Sequence, residues 1–214
     1  MEDDIKNSVK KGTTTVGIVC KDGIVLAADK RASAGSFVAN RDVDKVHKVN
    51  DDMAITMAGL VSDAQLILKL SKAELKLNQM RNAKKPSMKE AANLIANIFY
   101  QNIRRPSMVP GIVAFLLGGR DNNGFYLYDI GIDGALMPIK DFTSTGSGSM
   151  MAFGVMETLY KDGMSIDEGI SLAKKAINSA IQRDVNTGDG IDIFTITGKG
   201  VNKIETQHLK KEVQ

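Results

Sequence analysis

The side chains able to do chemistry in this sequence are few, and most arrangements of them fail at once. There are two histidines, His47 and His208, and one cysteine, Cys20. They lie far apart, and no spacing among them resembles a zinc or iron site, so no metal is expected. A Ser-His-Asp triad would have to use His47, and no Gly-x-Ser-x-Gly elbow is present. The run Gly146-Ser147-Gly148-Ser149 is a weak phosphate nest, lacking the third glycine of a dinucleotide loop and the lysine of a P-loop. Cys20 has no histidine and carboxylate partners at recognisable spacing and reads as a small buried hydrophobe.

What remains is a nucleophile that needs no histidine. The stretch Lys11-Gly12-Thr13-Thr14-Thr15-Val16-Gly17 joins a polar leader to a β-type segment. A cut between Gly12 and Thr13 would place a threonine first in the chain. Its own α-amine would then stand beside its hydroxyl as the base. That amine has an ordinary pKa of about 7.7–8.0, so it is partly neutral at physiological pH. A nearby ammonium would lower it further. The β-branch restricts χ1 and helps hold Oγ in line. The plain alternative is that Thr13-Thr14-Thr15 merely starts a strand.

The elements that must carry such a residue are legible. Thr14 to Cys20 and Ile24 to Asp29 read as a hairpin across Lys21-Asp22-Gly23. Arg31 to Gly35 reads as loop. Val43 to Val49 alternates, with Val43, Lys45, His47 and Val49 on one face, and Met53 to Ala58 is a further strand ended by Gly59. Ser62 with Gln65 has capping-box spacing, and Leu66, Leu70, Ala73 and Leu77 then predict the buried stripe of a helix. Ser87 with Glu90 opens a second helix, buried through Ala91, Leu94, Ile95, Ile98 and Phe99. Strands follow at Ile112 to Leu117, Phe125 to Ile130 and Asp141 to Thr145. A helix spans Met150 to Tyr160, and Ser165 with Glu168 caps a fourth, with Ile166, Ile170, Ala173, Ile177 and Ile181 inward. Ile191 to Thr197 and Val201 to Glu205 close the chain as a hairpin, with a frayed tail from Gln207. Strands and helices are grouped rather than alternating, which predicts an α+β arrangement of antiparallel sheets flanked by helix pairs.

Composition agrees with one globular domain. The 214 residues suffice for one sizeable core. No apolar run approaches the roughly 18 residues of a membrane helix. A net charge of +3, from 28 basic and 25 acidic residues interspersed, is too small to argue for nucleic acid. A single cysteine excludes an internal disulfide framework and fits a reducing compartment. Residues 1–12 have no apolar core of a secretory signal, which leaves a disordered leader or a pro-segment.

The ordered blocks Gly12-Thr13-Thr14-Thr15-Val16-Gly17, Leu26-Ala27-Ala28-Asp29-Lys30-Arg31-Ala32-Ser33, Met57-Ala58-Gly59-Leu60-Val61-Ser62-Asp63-Ala64-Gln65, Thr145-Gly146-Ser147-Gly148-Ser149 and Arg183-Asp184-Val185-Asn186-Thr187-Gly188-Asp189-Gly190 resemble a β subunit of the archaeal-type 20S proteasome. That resemblance implies the N-terminal-nucleophile hydrolase fold, a four-layer αββα sandwich over residues 13–205, with a charged tail at 206–214. It implies autolytic removal of residues 1–12, exposing Thr13 as nucleophile. Lys45 and Asp29 match the lysine beside the nucleophile and its partner. Ser147, Asp184 and Thr187 match the residues supporting the amine and the water, Thr187 replacing a serine common in relatives. The N–H of Gly59 matches the oxyanion donor. Ala32, Val43, His47, Met57 and Val61 match the specificity pocket, Ser33 the loop that pairs with substrate, and Ser149 lies close to that network. The pocket is mostly apolar, which favours large hydrophobic side chains, although His47 stands where relatives are usually apolar. The implied partners are α subunits, further β subunits in seven-membered rings doubled and capped by α rings, an ATP-driven unfoldase and unfolded polypeptide. No cofactor is implied, and the implied location is the cytoplasm. The alternative is a β subunit that is structural, or is activated only with a second β subunit.

Overall fold

The structure, a computed structural model, describes residues 12–107 and 111–208. The expected leader before Gly12 and the tail beyond His208 lie outside the described residues. Strand β1 (Thr14–Cys20) pairs antiparallel with β2 (Gly23–Asp29), as the turn signal predicts. A short ribbon follows, β3 (Ala32–Ala34) with β4 (Phe37–Asn40). Then come β5 (Val46–Lys48), β6 (Met53–Gly59), α1 (Val61–Asn82) and α2 (Met88–Ile103). The second half runs β7 (Val113–Asp121), β8 (Gly124–Ile130), β9 (Leu136–Ile139), β10 (Phe142–Gly146), α3 (Ser149–Leu159), α4 (Ile166–Arg183), β11 (Gly190–Thr197) and β12 (Gly200–His208).

Two five-stranded sheets result, ordered β10-β1-β2-β11-β12 and β5-β6-β7-β8-β9, and every pairing in them is antiparallel. Three apolar layers hold them. Ile24, Leu26 and Ala28 of β2 meet Ala54, Leu116 and Leu127 between the sheets. Val25 and Ala27 point the other way, against Leu172, Ala176 and Ile177 of α4. β2 is thus buried on both faces, which is why it reads as an unbroken apolar run. On the far side Ile55, Met57 and Phe115 pack against Ile67, Ile95 and Phe99 of α1 and α2. Each such Leu, Ile or Phe contributes about 1.5–3 kcal/mol by leaving water. The expected αββα sandwich is present.

Two of the three capping boxes form. Ser87 N donates to Glu90 Oε2 at 2.7 Å while Glu90 N returns to Ser87 Oγ, and Ser165 with Glu168 does the same. The third does not. α1 starts at Val61 with Leu60 as an N-cap that makes no side-chain bond. Here the backbone sets the entry: Leu60 N donates to Ile112 O, and Ala64 N returns to Leu60 O. The α1 stripe also differs from expectation. Leu66, Leu70, Ala73 and Leu77 face outward, Leu66 at 46% exposure, and the buried face is Ala64, Ile67, Leu68, Ser71 and Leu75. Apolar residues are spread around this helix, so a 3.6-residue period fits more than one face, and the direction in which the chain leaves β6 selects between them.

Other differences have similar causes. Residues 32–34 form a strand rather than loop, because β4 offers them a partner. Only Val46–Lys48 of the alternating stretch is strand, since residues 42–44 are held by Lys30 instead of a ladder. β9 contains Pro138 and is an edge strand, where proline is tolerated. β7 runs on through Gly118-Gly119. A Cβ at Gly118 would lie 3.0 Å from Ile196 Cδ1, and one at Gly119 2.5 Å from Met88 Cε, so the pair thins the strand for packing on both faces. β12 continues past the expected end at Glu205, with Gln207 and His208 paired to Ile191 and Gly190.

Candidate active site

Thr13 lies just before β1 and is 5% exposed. Its backbone is trapped between two strand ends, because Thr14 pairs with Gly146 on one side and donates its N–H to Asp29 Oδ1 at 2.9 Å on the other. Asp29 ends β2 and is fully buried. Its carboxylate is saturated: Oδ1 also accepts from Lys45 Nζ at 2.7 Å, and Oδ2 from the N–H groups of Arg31 at 3.0 Å and Gly188 at 2.9 Å. Lys45 directly precedes β5 of the other sheet, and its carbonyl accepts Met57 N of β6. The Asp29–Lys45 pair therefore ties the two sheets together beside Thr13. Burial is the main influence on both groups. It pushes the Asp29 carboxyl up and the Lys45 ammonium down, and each partner opposes the other's shift.

The Thr13 hydroxyl donates to the Gly12 carbonyl at 2.8 Å. The Thr13 side chain thus rests against the carbonyl group of the residue before it. Gly12 N donates to Ser33 Oγ at 3.1 Å. A Cβ on Gly12 would overlap Asn186 Cβ and approach Ser147 Oγ to 2.9 Å, so no larger residue fits this position as it stands.

A hydroxyl chain leads away from Thr13 toward Asp184, the C-cap of α4. A carboxylate at a helix C-terminus is disfavoured by the helix dipole. Three donors compensate: Ser147 Oγ at 2.5 Å, Thr187 Oγ1 at 2.6 Å and Asn186 N at 3.2 Å. Thr187 Oγ1 also lies 2.6 Å from Thr14 Oγ1. Thr187 spends its single proton on Asp184, so Thr14 is the donor in that second bond. The added methyl of Thr187 is accommodated in a fully buried position. Ser147 Oγ is also 3.5 Å from Thr13 O.

A pocket of about 60 Å³ opens beside Thr13 and Gly12. Ala32, Val43, His47, Met57 and Val61 line it, with Gly59 and Lys45. Gly59 ends β6 at φ +117°, a left-handed value, and a Cβ there would meet the Ile112 carbonyl and lie 3.0 Å from Val113 Cα. His47 donates through Nε2–H to the Asp44 carbonyl, 3.0 Å away, and burial holds its pKa below the usual value. Ser149 begins α3 and is not among the lining residues, nor is Ser33, whose hydroxyl is turned to Gly12.

Several residues at the site escaped the sequence reading as participants. Ala64 and Gln65 line the pocket from α1. Lys30 is 2% exposed and bonds Asp42, Asp44 and Asp192, at 2.8, 3.3 and 3.2 Å. Burial would depress its pKa, but the three carboxylates outweigh that and hold it above the ordinary lysine value. Its carbonyl accepts Val43 N, so Lys30 secures the pocket wall through both backbone and side chain. Arg31 holds the Asp184 segment, donating to Asp189 Oδ2 at 2.6 Å and Val185 O at 2.8 Å. The triplet Asp29-Lys30-Arg31 was the available signal, since three charges at the end of a buried strand need partners.

Other chemistry is weak. The Cys20 thiol is buried and pushed up to about 12, which leaves it protonated and unreactive. Among the described residues no group of His, Cys, Asp and Glu could hold a metal ion. A second concavity, of about 650 Å³, shares no lining residue with the pocket beside Thr13, and within it Asp52 pairs with Lys85 and with Arg120. No helix among the described residues is long and apolar enough to cross a membrane.

Comparison with known proteins follows the same lines. The sequence profile described as Proteasome subunit matches residues 9–196. The chain is 43% identical over 210 residues to a proteasome subunit beta of Methanothermobacter thermautotrophicus, covering 98% of this chain and 97% of the relative. It is 42% identical over 208 residues to that of Archaeoglobus profundus, covering 97% and 95%. It is 44% identical over 206 residues to that of Ferroglobus placidus, covering 96% of each. A saturated carboxylate, a clamped threonine and 42–44% identity over nearly the whole chain to three proteasome β subunits converge, and the chain belongs to the proteasome subunit family.

Proposed function

We propose that the chain is a threonine-type endopeptidase subunit whose nucleophile is Thr13, set free by self-cleavage after Gly12. The observation that carries this reading is the Thr13 hydroxyl lying on the Gly12 carbonyl, beside a buried lysine–aspartate pair and at the mouth of a pocket. In self-cleavage Thr13 Oγ bonds to the Gly12 carbonyl carbon and the Gly12–Thr13 C–N bond breaks. The hydroxyl proton ends on the departing nitrogen, leaving an ester and a free amine. Water then hydrolyses the ester, freeing residues 1–12 with a carboxylate on Gly12.

The mature reaction repeats these steps on a substrate. Thr13 Oγ attacks a peptide carbonyl while its own amine, through water, accepts the proton. The Gly59 N–H stabilises the oxyanion. Water releases the acyl group from Thr13. The ammonium of Lys45, fixed by Asp29, keeps positive charge beside the nucleophile and favours the neutral amine. Asp184, with Ser147 and Thr187, orients the amine and the water. The apolar wall of Ala32, Val43, Met57 and Val61 favours large hydrophobic side chains before the cut bond. The subunit works in seven-membered β rings capped by α rings in the cytoplasm, with an ATP-driven unfoldase supplying unfolded chains.

The test is intact mass and fluorogenic peptide cleavage after co-expression with an α subunit. Wild type is expected to lose residues 1–12 and cleave peptides, and Thr13→Ala to keep the leader and cleave none. Retained turnover in Thr13→Ala particles overturns the reading. Failure of the wild type to process without another β subunit favours the conditionally activated alternative.

A further inference from the structure

Glycine offers a self-cleaving site little to hold. A substrate residue with a large side chain is anchored by the pocket, but Gly12 has only its N–H, its carbonyl and its α-carbon. The structure engages all three. The carbonyl takes the Thr13 hydroxyl, Asn186 walls the α-carbon, and the N–H is bound by Ser33 Oγ at 3.1 Å. Ser33 lies on β3, 2% exposed, in a ribbon outside both main sheets. It is not bonded to the Asp29–Lys45 pair or to the Asp184 hydroxyl chain.

We propose that the Ser33 hydroxyl is a positioning residue for self-cleavage, pinning the amide of Gly12 so that its carbonyl stays under the Thr13 hydroxyl. The inference rests on the reading of Thr13 as nucleophile. Without that hydrogen bond, residue 12 turns about backbone dihedrals that glycine leaves unusually free, and the scissile carbonyl leaves the Oγ. The bond made is Oγ–C and the bond broken is C–N, so an error in the carbonyl's place acts directly on the rate. A peptide substrate with leucine before its cut bond depends less on Ser33, because its side chain is held in the pocket.

The experiment compares two rates in assembled particles. Processing is followed by intact mass after mixing the full-length chain with α subunits. Turnover of a leucine peptide is measured on chains released from a cleavable N-terminal fusion, so that Thr13 begins the chain. Ser33→Ala is expected to slow processing about tenfold, the factor one lost hydrogen bond removes, and to lower kcat/KM by a clearly smaller factor, since the peptide keeps its pocket anchor while the loop that carries Ser33 also meets substrate. Ser33→Thr restores the processing rate. Should Ser33→Ala fail to assemble, Ser33→Cys carries the same expectation, since sulfur is a weak acceptor in nearly the same volume. Processing at the wild-type rate, or processing and turnover falling by one common factor, overturns the proposal. A wild-type chain that keeps residues 1–12 in active particles overturns the Thr13 reading itself, so the two failures are distinct.

Discussion

Replacing Gly12 by alanine tests the geometry of the proposed cut site most directly. The new Cβ would overlap Asn186 Cβ and lie 2.6 Å from Asn186 Cγ and 2.9 Å from Ser147 Oγ. Ordinary contact begins near 3.4 Å, so clearing the Cγ alone demands about 0.8 Å, and clearing the Cβ more than about 1 Å. Asn186 cannot easily give way, because its N–H is bound to Asp184 Oδ1, and Asp184 is held by Ser147 and Thr187. The carbonyl of residue 12 moves instead, away from the Thr13 hydroxyl. A misplacement of about 1 Å costs on the order of 100-fold in rate, so processing should slow by at least that factor. Pulse-labelled chains, mixed with α subunits and followed by intact mass, give the rate. Adding Asn186→Gly removes the first two obstructions and leaves a hydroxyl contact that can rotate, so the double variant should process faster than Gly12→Ala alone. Wild-type processing by Gly12→Ala refutes the reasoning, as does a double variant no faster than the single.

Further outcomes follow from the charges. Asp29→Asn leaves Lys45 buried without a counter-charge and turns an amide N–H₂ toward the donors of either Thr14 or Arg31 and Gly188. It should cost about 3–5 kcal/mol in denaturant titration, whereas Lys45→Met, which leaves Asp29 three backbone donors, should cost less. Lys30→Met releases the Asp42–Asp44 segment that carries Val43, while Asp29 stays in place. KM for a leucine peptide should rise by a larger factor than kcat falls, and equal changes would show a general loss of structure. His47 is held below its ordinary pKa by burial, so it stays neutral at pH 7 and gains charge only as pH falls below about 6.5. The ratio of cleavage after acidic to apolar side chains should be flat from about pH 8 to 6.5 and rise below that. His47→Leu should abolish the rise.

The grouping of strands and helices was legible because β2, β6 and β11 carry runs of apolar residues bounded by turn glycines. Two caps at Ser87 and Ser165 were legible because a capping box is local. The outward face of α1 was not, because its side is chosen by the backbone bond of Leu60 to Ile112, far away in sequence. The same limit applies at the site. Thr13, Asp29 and Lys45 could be placed only through the resemblance of whole blocks, since nothing local pairs a strand end with a residue beyond the next ribbon. Ser33 was expected near substrate, but that its hydroxyl takes the Gly12 amide depends on how β3 folds back, which no spacing encodes. Lys30 drew no reading of its own, because the three carboxylates around it come from two segments separated in sequence.

The end of β2 has a consequence for folding as well as for chemistry. Asp29, Lys30 and Arg31 each meet different partners, and successive strand residues point to opposite faces. A slip of one residue would bring an ammonium where the N–H groups of Thr14 and Gly188 now find a carboxylate, and would set it beside Lys45. Such a chain has no acceptor at its centre and cannot hold Thr13. If Thr13 is the nucleophile proposed above, peptide cleavage is thereby conditional on correct strand register, and a misfolded copy is inert.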